Sequence, residues 1–122
     1  MIINGWVLPD SVEVLGLVYD IVYENEEENT RLKDADGYLE PYAKEIYIDR
    51  SIFEQDKNDP LQMKNLEIYG HKVIRHEIIH AFIIESGLWE CCSWAQNEEL
   101  TDWIARQFPK IENCFKKLGI NE

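Results

Sequence analysis

The sequence predicts an α+β fold, in which a small antiparallel sheet packs against a long helix and a second, C-terminal helix closes over it. Three observations carry that prediction. Apolar and polar residues alternate in segments of the first fifty positions, apolar residues recur at helical spacing after residue 59, and Asp59-Pro60 marks the change between the two patterns. At 122 residues the chain is long enough for one core and too short for two, so residues 1–122 are expected to form a single domain, strand-rich over about 1–58 and helical over 59–122. Although 30% of the residues are charged, 45% are hydrophobic, which suffices for a packed interior and argues against disorder.

Val12 to Tyr23, VEVLGLVYDIVY, alternates on either side of Gly16 and is rich in β-branched and aromatic residues. It predicts two short strands, or one bent strand, around Leu15-Gly16. The acidic run Glu24 to Asp36 has no period and ends in the turn signal Asp36-Gly37, so a solvated loop is expected. Ala43 to Asp49, AKEIYID, alternates again, with Ile46 and Ile48 on one face and Tyr47 on the other. About three strands are therefore expected in this half.

Asp59-Pro60-Leu61-Gln62 has the form of a helix start, with Asp59 as cap, Pro60 at the first position and Gln62 reaching back. The helix should run to Ser86, with Gly87 just past its end. A second helix is expected after Ser93, with Gln96 as its capping-box partner, through Leu100, Trp103, Ile104 and Phe108. Pro109 should end or kink it, and Ile111 to Leu118 continues at helical spacing up to Gly119. Trp89, Trp94 and Trp103 are expected to anchor core and loops by packing.

A net charge of -12 repels phosphate backbones and anionic lipid headgroups, and Lys116-Lys117 is the only adjacent basic pair, so neither nucleic acid nor a membrane surface is an expected partner. No apolar run is long enough to span a bilayer, and MIINGWVLPD lacks the order of a signal peptide. Cys91, Cys92 and Cys114 leave an odd cysteine over, which fits a reducing compartment. A cytoplasmic location is the expectation.

The segment RHEIIHAF carries the chemistry. His76 and His80, two of only three histidines, stand about 40° apart on a helix, so both imidazoles can converge on one metal ion, while Glu77 lies about 60° from His80, beside the metal. A chance match to this pattern is expected on the order of 1% of the time for such a composition. His71 lies about 140° from His76 and cannot join the same site. Catalytic zinc sites take three protein ligands, and the second helix offers Asn97-Glu98-Glu99-Leu100-Thr101-Asp102. Glu98 and Asp102 share a helical face, so that one carboxylate can bind the metal and the other orient a ligand histidine. Spacing alone permits Glu98 or Glu99; the small residues Ala95 and Ala105 beside Glu98 favour Glu98, and Glu99 falls near Arg106 on a charged face.

His76-Glu77-x-x-His80 followed by Asn97-Glu98-x-x-x-Asp102 resembles the gluzincin metallopeptidases, the thermolysin-like group. That resemblance implies zinc held by His76, His80 and Glu98, Glu77 as general base, and Asp102 hydrogen-bonded to His76. It also implies that AKEIYID is the edge strand along which an extended peptide or protein substrate lies. Over nearly its whole length the chain is similar to the small zincin-like proteins of phages and prophages in low-GC bacteria. The expected function is zinc-dependent peptide-bond hydrolysis in the cytoplasm of a bacterial host. The alternative is a zincin-like binding module whose zinc is structural or vestigial, acting through a phage or host protein partner. Larger gluzincins add a His or Tyr that stabilises the oxyanion, whereas this chain has no histidine after His80 and no tyrosine after Tyr69. Tyr47 and Tyr69 are the candidates for that role.

Overall fold

The computed structural model describes residues 1–55, 58–59 and 65–122. Strands β1 (Ile2–Ile3) and β2 (Trp6–Val7) pair antiparallel around Asn4-Gly5, both at positive φ, as this type of tight turn demands. Strands β3 (Ser11–Val14) and β4 (Leu17–Glu24) form a second hairpin, turned by Leu15 at φ 49° and Gly16 at φ 86°. The expected bend is thus a two-residue turn. The acidic run remains largely irregular, but Thr30–Lys33 forms one 3-10 turn capped by Asn29, and it buries Leu32.

Beyond that turn come β5 (Gly37–Glu40) and β6 (Glu45–Asp49). The strand order is β3-β4-β6-β5, and β4 runs parallel to β6 while the other pairs are antiparallel. The fold class is α+β as expected, but the sheet is mixed rather than antiparallel. AKEIYID is also an inner strand, not an edge strand. Two features account for these corrections. Ile46 and Ile48 are fully buried, so β6 takes the inner position, and the polar run after β4 is long enough, at about a dozen residues, to cross over and deliver β5 to the far edge first. Tyr47, on the opposite face, stacks on Tyr38 of β5 with ring centroids 4.8 Å apart.

The helices are α1 (Ser51–Glu54), α2 (Leu66–Glu85), α3 (Leu88–Cys91) and α4 (Glu98–Leu118). Pro60, Leu61 and Gln62 of the expected helix start lie outside the described residues. At the other end the reading holds: Gly87, at φ 82°, donates its N–H to the Ile84 carbonyl and stops α2. Val73, Ile74 and Ala81 of α2 press against Tyr19, Ile21, Ile46 and Ile48 of the sheet to form the core. Among the described residues no helix is long and apolar enough to cross a membrane.

Helix α4 departs from expectation at two points. It starts at Glu98, not after Ser93, because the Asn97 side chain caps it by accepting the Leu100 N–H at 2.8 Å. Ser93–Gln96 is a separate 3-10 turn, and Gln96 donates to the Trp89 carbonyl instead of closing a capping box. The helix also runs unbroken through Pro109. A proline there removes the N–H that would bond the carbonyl four residues earlier, at Ala105. Arg75 of α2 supplies the missing donor, with Nε 2.7 Å from the Ala105 carbonyl oxygen. This bond ties α4 to α2 one residue before His76. Arg75→Ala should leave that carbonyl unsatisfied and cost about 1–3 kcal/mol in urea unfolding.

Candidate metal centre

Helix α2 turns His76, Glu77 and His80 toward a cavity of about 1080 Å3, bounded on one side by β5 and on the other by α3 and the start of α4. The His76 and His80 Nε2 atoms stand 3.1 Å apart, and Glu98 Oε2 lies 2.9 Å from the first and 3.1 Å from the second. These three residues form a group that can hold a metal ion. Of the two glutamates considered, Glu98 is the one whose carboxylate meets the histidines; Glu99 is exposed. His71 is exposed and takes no part in this group.

The donor chemistry supports a cation at this point. Asp102 Oδ1 lies 3.2 Å from His76 Nδ1, and because a carboxylate only accepts, this contact favours the tautomer with the proton on Nδ1 and a lone pair on Nε2. That lone pair faces a carboxylate oxygen and a second imidazole nitrogen. Three electron-rich atoms about 3 Å apart repel one another unless a proton or cation lies among them, and metal bonds of about 2.0–2.1 Å fit that triangle.

Asp102 is held from three sides. It also accepts from Lys72 Nζ at 2.9 Å and, through Oδ2, from Arg106 Nε at 2.8 Å. Burial alone would raise its carboxyl, but Lys72, His76 and Arg106 outweigh it and hold the group below the usual range. At Glu98 burial is again outweighed, by His80 and His76, and the carboxyl is lowered. His80 is lowered chiefly by burial, with Glu98 opposing. Its ring meets Trp89 edge to face at 6.4 Å.

Glu77 differs from these groups. It is buried, 6% exposed, and burial followed by the charge of Glu98 pushes its carboxyl up to about 8. A buried carboxyl beside a lone-pair cluster, lining an open cavity, is placed to exchange protons with whatever occupies that cavity. The approach of β5 makes room for it. A Cβ built on Gly37 would stand 2.8 Å from the Tyr47 carbonyl oxygen and 3.4 Å from Glu77 Cγ. Gly37→Ala should therefore push back β6, through the Tyr47 carbonyl and the Ile48 side chain 3.2 Å away, costing about 1–3 kcal/mol of stability while Glu77 and metal uptake stay in place. Thermal unfolding and metal titration of the variant check the two halves of that expectation.

The sequence reading did not find every wall of the site. No strand was assigned to Gly37–Glu40, whose four residues are too few to show a period, yet β5 is the edge strand beside the cavity. Neither expected oxyanion donor lines the cavity. Tyr47 stands on the outer sheet face, and the Tyr69 hydroxyl donates to the Asp36 carboxylate. Trp94 and Trp103 are half exposed, so they are not core anchors, and Trp89 lines the cavity. No family model, curated protein or solved structure matches this chain.

Proposed function

We propose that the protein is a zinc-dependent, gluzincin-like peptidase that hydrolyses peptide bonds in an extended substrate. The observation that carries this reading is the convergence of His76, His80 and Glu98 beside the buried carboxyl of Glu77, in a cavity flanked by the outer edge of β5, which pairs with no further strand among the described residues. Zinc, when bound by those three residues, supplies Lewis acidity toward a carbonyl and acidifies water. Glu77 takes the proton from the attacking water and returns it to the leaving amine. Asp102 holds the His76 ring in the tautomer that leaves Nε2 free.

Strand β5 aligns the substrate. The Asp49 N–H bonds the Asp36 carbonyl, so by antiparallel alternation Tyr38 and Glu40 bond to β6, and Gly37 and Leu39 turn their backbone groups to the open edge. An added strand of substrate pairs with those two residues. The three free cysteines agree with work in a reducing cytoplasm, such as that of a bacterial host.

A second reading has one observation in its favour. Neither Tyr47 nor Tyr69 lines the cavity, and the Tyr69 hydroxyl is engaged by Asp36, so neither tyrosine expected as an oxyanion donor stands at the metal group. A zincin-like module with a structural or vestigial zinc, binding a phage or host protein, needs none. Incubating zinc-loaded protein with a mixed peptide library and reading new termini by mass spectrometry separates the two. The peptidase reading expects cleavage that a chelator stops; no new termini at any zinc concentration would leave the binding module.

A further inference from the structure

We infer that the cavity selects a substrate segment carrying lysine or arginine on both sides of the metal centre. This inference rests on the peptidase reading and extends it to a substrate class. The cavity wall on α2 runs from Lys72 to Glu85, about 20 Å of helix, which spans about six residues of extended chain. His76 and His80 fall in the middle of that span. The charges along it decide what fits.

Two basic side chains line the cavity, and each is already paired: Lys72 Nζ with Asp102 at 2.9 Å and Lys44 Nζ with Glu85 at 2.5 Å. At the centre, a bound divalent ion would balance Glu98, and Glu77 when it is ionised. Two lining carboxylates remain, Asp36 and Glu90, and neither has a cationic partner among the described residues. Tyr69 gives Asp36 a neutral hydrogen bond, which leaves its charge in place.

The two lie on opposite sides of the histidines. Asp36 is tied to Tyr69, which precedes His76 by about two turns, whereas Glu90 belongs to α3, which follows the end of α2. Trp89 and Tyr42 add aromatic faces to the wall, and Tyr42 is almost fully exposed. Carboxylate and aromatic ring together suit an ammonium or guanidinium group. The net charge of -12 on the whole chain adds attraction for a basic segment from a distance. An acidic segment would meet repulsion at both ends of the groove.

The test uses zinc-loaded Glu77→Gln protein, which holds a peptide without cutting it, and two fluorescent octapeptides that differ only in carrying two lysines or two glutamates near their ends. Fluorescence anisotropy should find the lysine peptide bound about tenfold more tightly at low salt, with the ratio shrinking as salt rises. The pair Asp36→Asn and Glu90→Gln should bring the ratio toward one. Equal binding, preference for the glutamate peptide, binding of neither, or a lysine preference unchanged by the pair would each overturn the inference. Cleavage of library peptides by the wild type without regard to charge would overturn it while leaving the peptidase reading intact. Absence of all cleavage would remove that reading, whatever the binding ratio.

Discussion

Glu77→Gln is expected to lower peptide hydrolysis by a factor of at least about 100 while leaving zinc bound, because the amide cannot take a proton from water. The same substitution should change stability in a pH-dependent way when the chain is metal-free. The folded chain holds a proton on Glu77 up to about pH 8, whereas in the unfolded chain this carboxyl titrates near its ordinary 4.5. Its contribution to stability is therefore fully present below about 4.5 and is lost as pH rises through about 8. The neighbouring groups act in the opposite sense. His80, lowered mainly by burial, gains as pH rises through the imidazole range, and the lowered carboxyls Glu98 and Asp102 lose their contribution only as pH falls. Those groups remain in both proteins, so the difference between wild type and variant isolates Glu77. Urea unfolding should find the two similar in acid and the variant more stable above pH 8. A difference that does not move with pH would mean that Glu77 is not the buried, protonated group described.

Gly70→Ala is expected to destabilise the protein by about 2 kcal/mol or more, although an alanine in an exposed helix would stabilise it by about 1 kcal/mol. A methyl group at this position would overlap the ring of Phe53, which is 2% exposed and packs on the α2 backbone. Either α1 must move away or the ring must leave its place beside Tyr23, whose ring meets it edge to face at 6.3 Å. Phe53→Leu in the Gly70→Ala background should recover part of the loss. Stabilisation by Gly70→Ala alone would contradict the packing of α1 on α2.

The elements legible in the sequence were those whose signal is local. Alternation around Leu15-Gly16 gave β3 and β4, the Ile46-Tyr47-Ile48 pattern gave β6, and helical spacing with Gly87 gave the end of α2. The hairpin at Asn4-Gly5 was equally local and could have been read, since that dipeptide is a strong turn signal. Strand order was not legible. Whether β6 lies at the edge or inside depends on which strand buries more on the assembled sheet, a property of the whole fold.

Pro109 shows the same limit at one residue. It looked like a break because its lost hydrogen bond can be counted locally, whereas the compensating donor, Arg75, is 30 residues away along the chain. For the site, helical geometry was enough to place His76 and His80 together, and the small residues Ala95 and Ala105 beside Glu98, with Arg106 near Glu99, were enough to choose between adjacent glutamates. The cavity's second wall came from β5 and the segments on either side of it, so the uncompensated Asp36 just before β5 could not be foreseen.

Metal content per chain tests the central claim most directly. Protein purified without added metal, then titrated with zinc, should bind about one ion per chain, and His80→Ala and Glu98→Ala should each lose it or weaken it at least about tenfold. No uptake of zinc by the wild type, or uptake undiminished in Glu98→Ala, would contradict the three-residue centre and with it the peptidase.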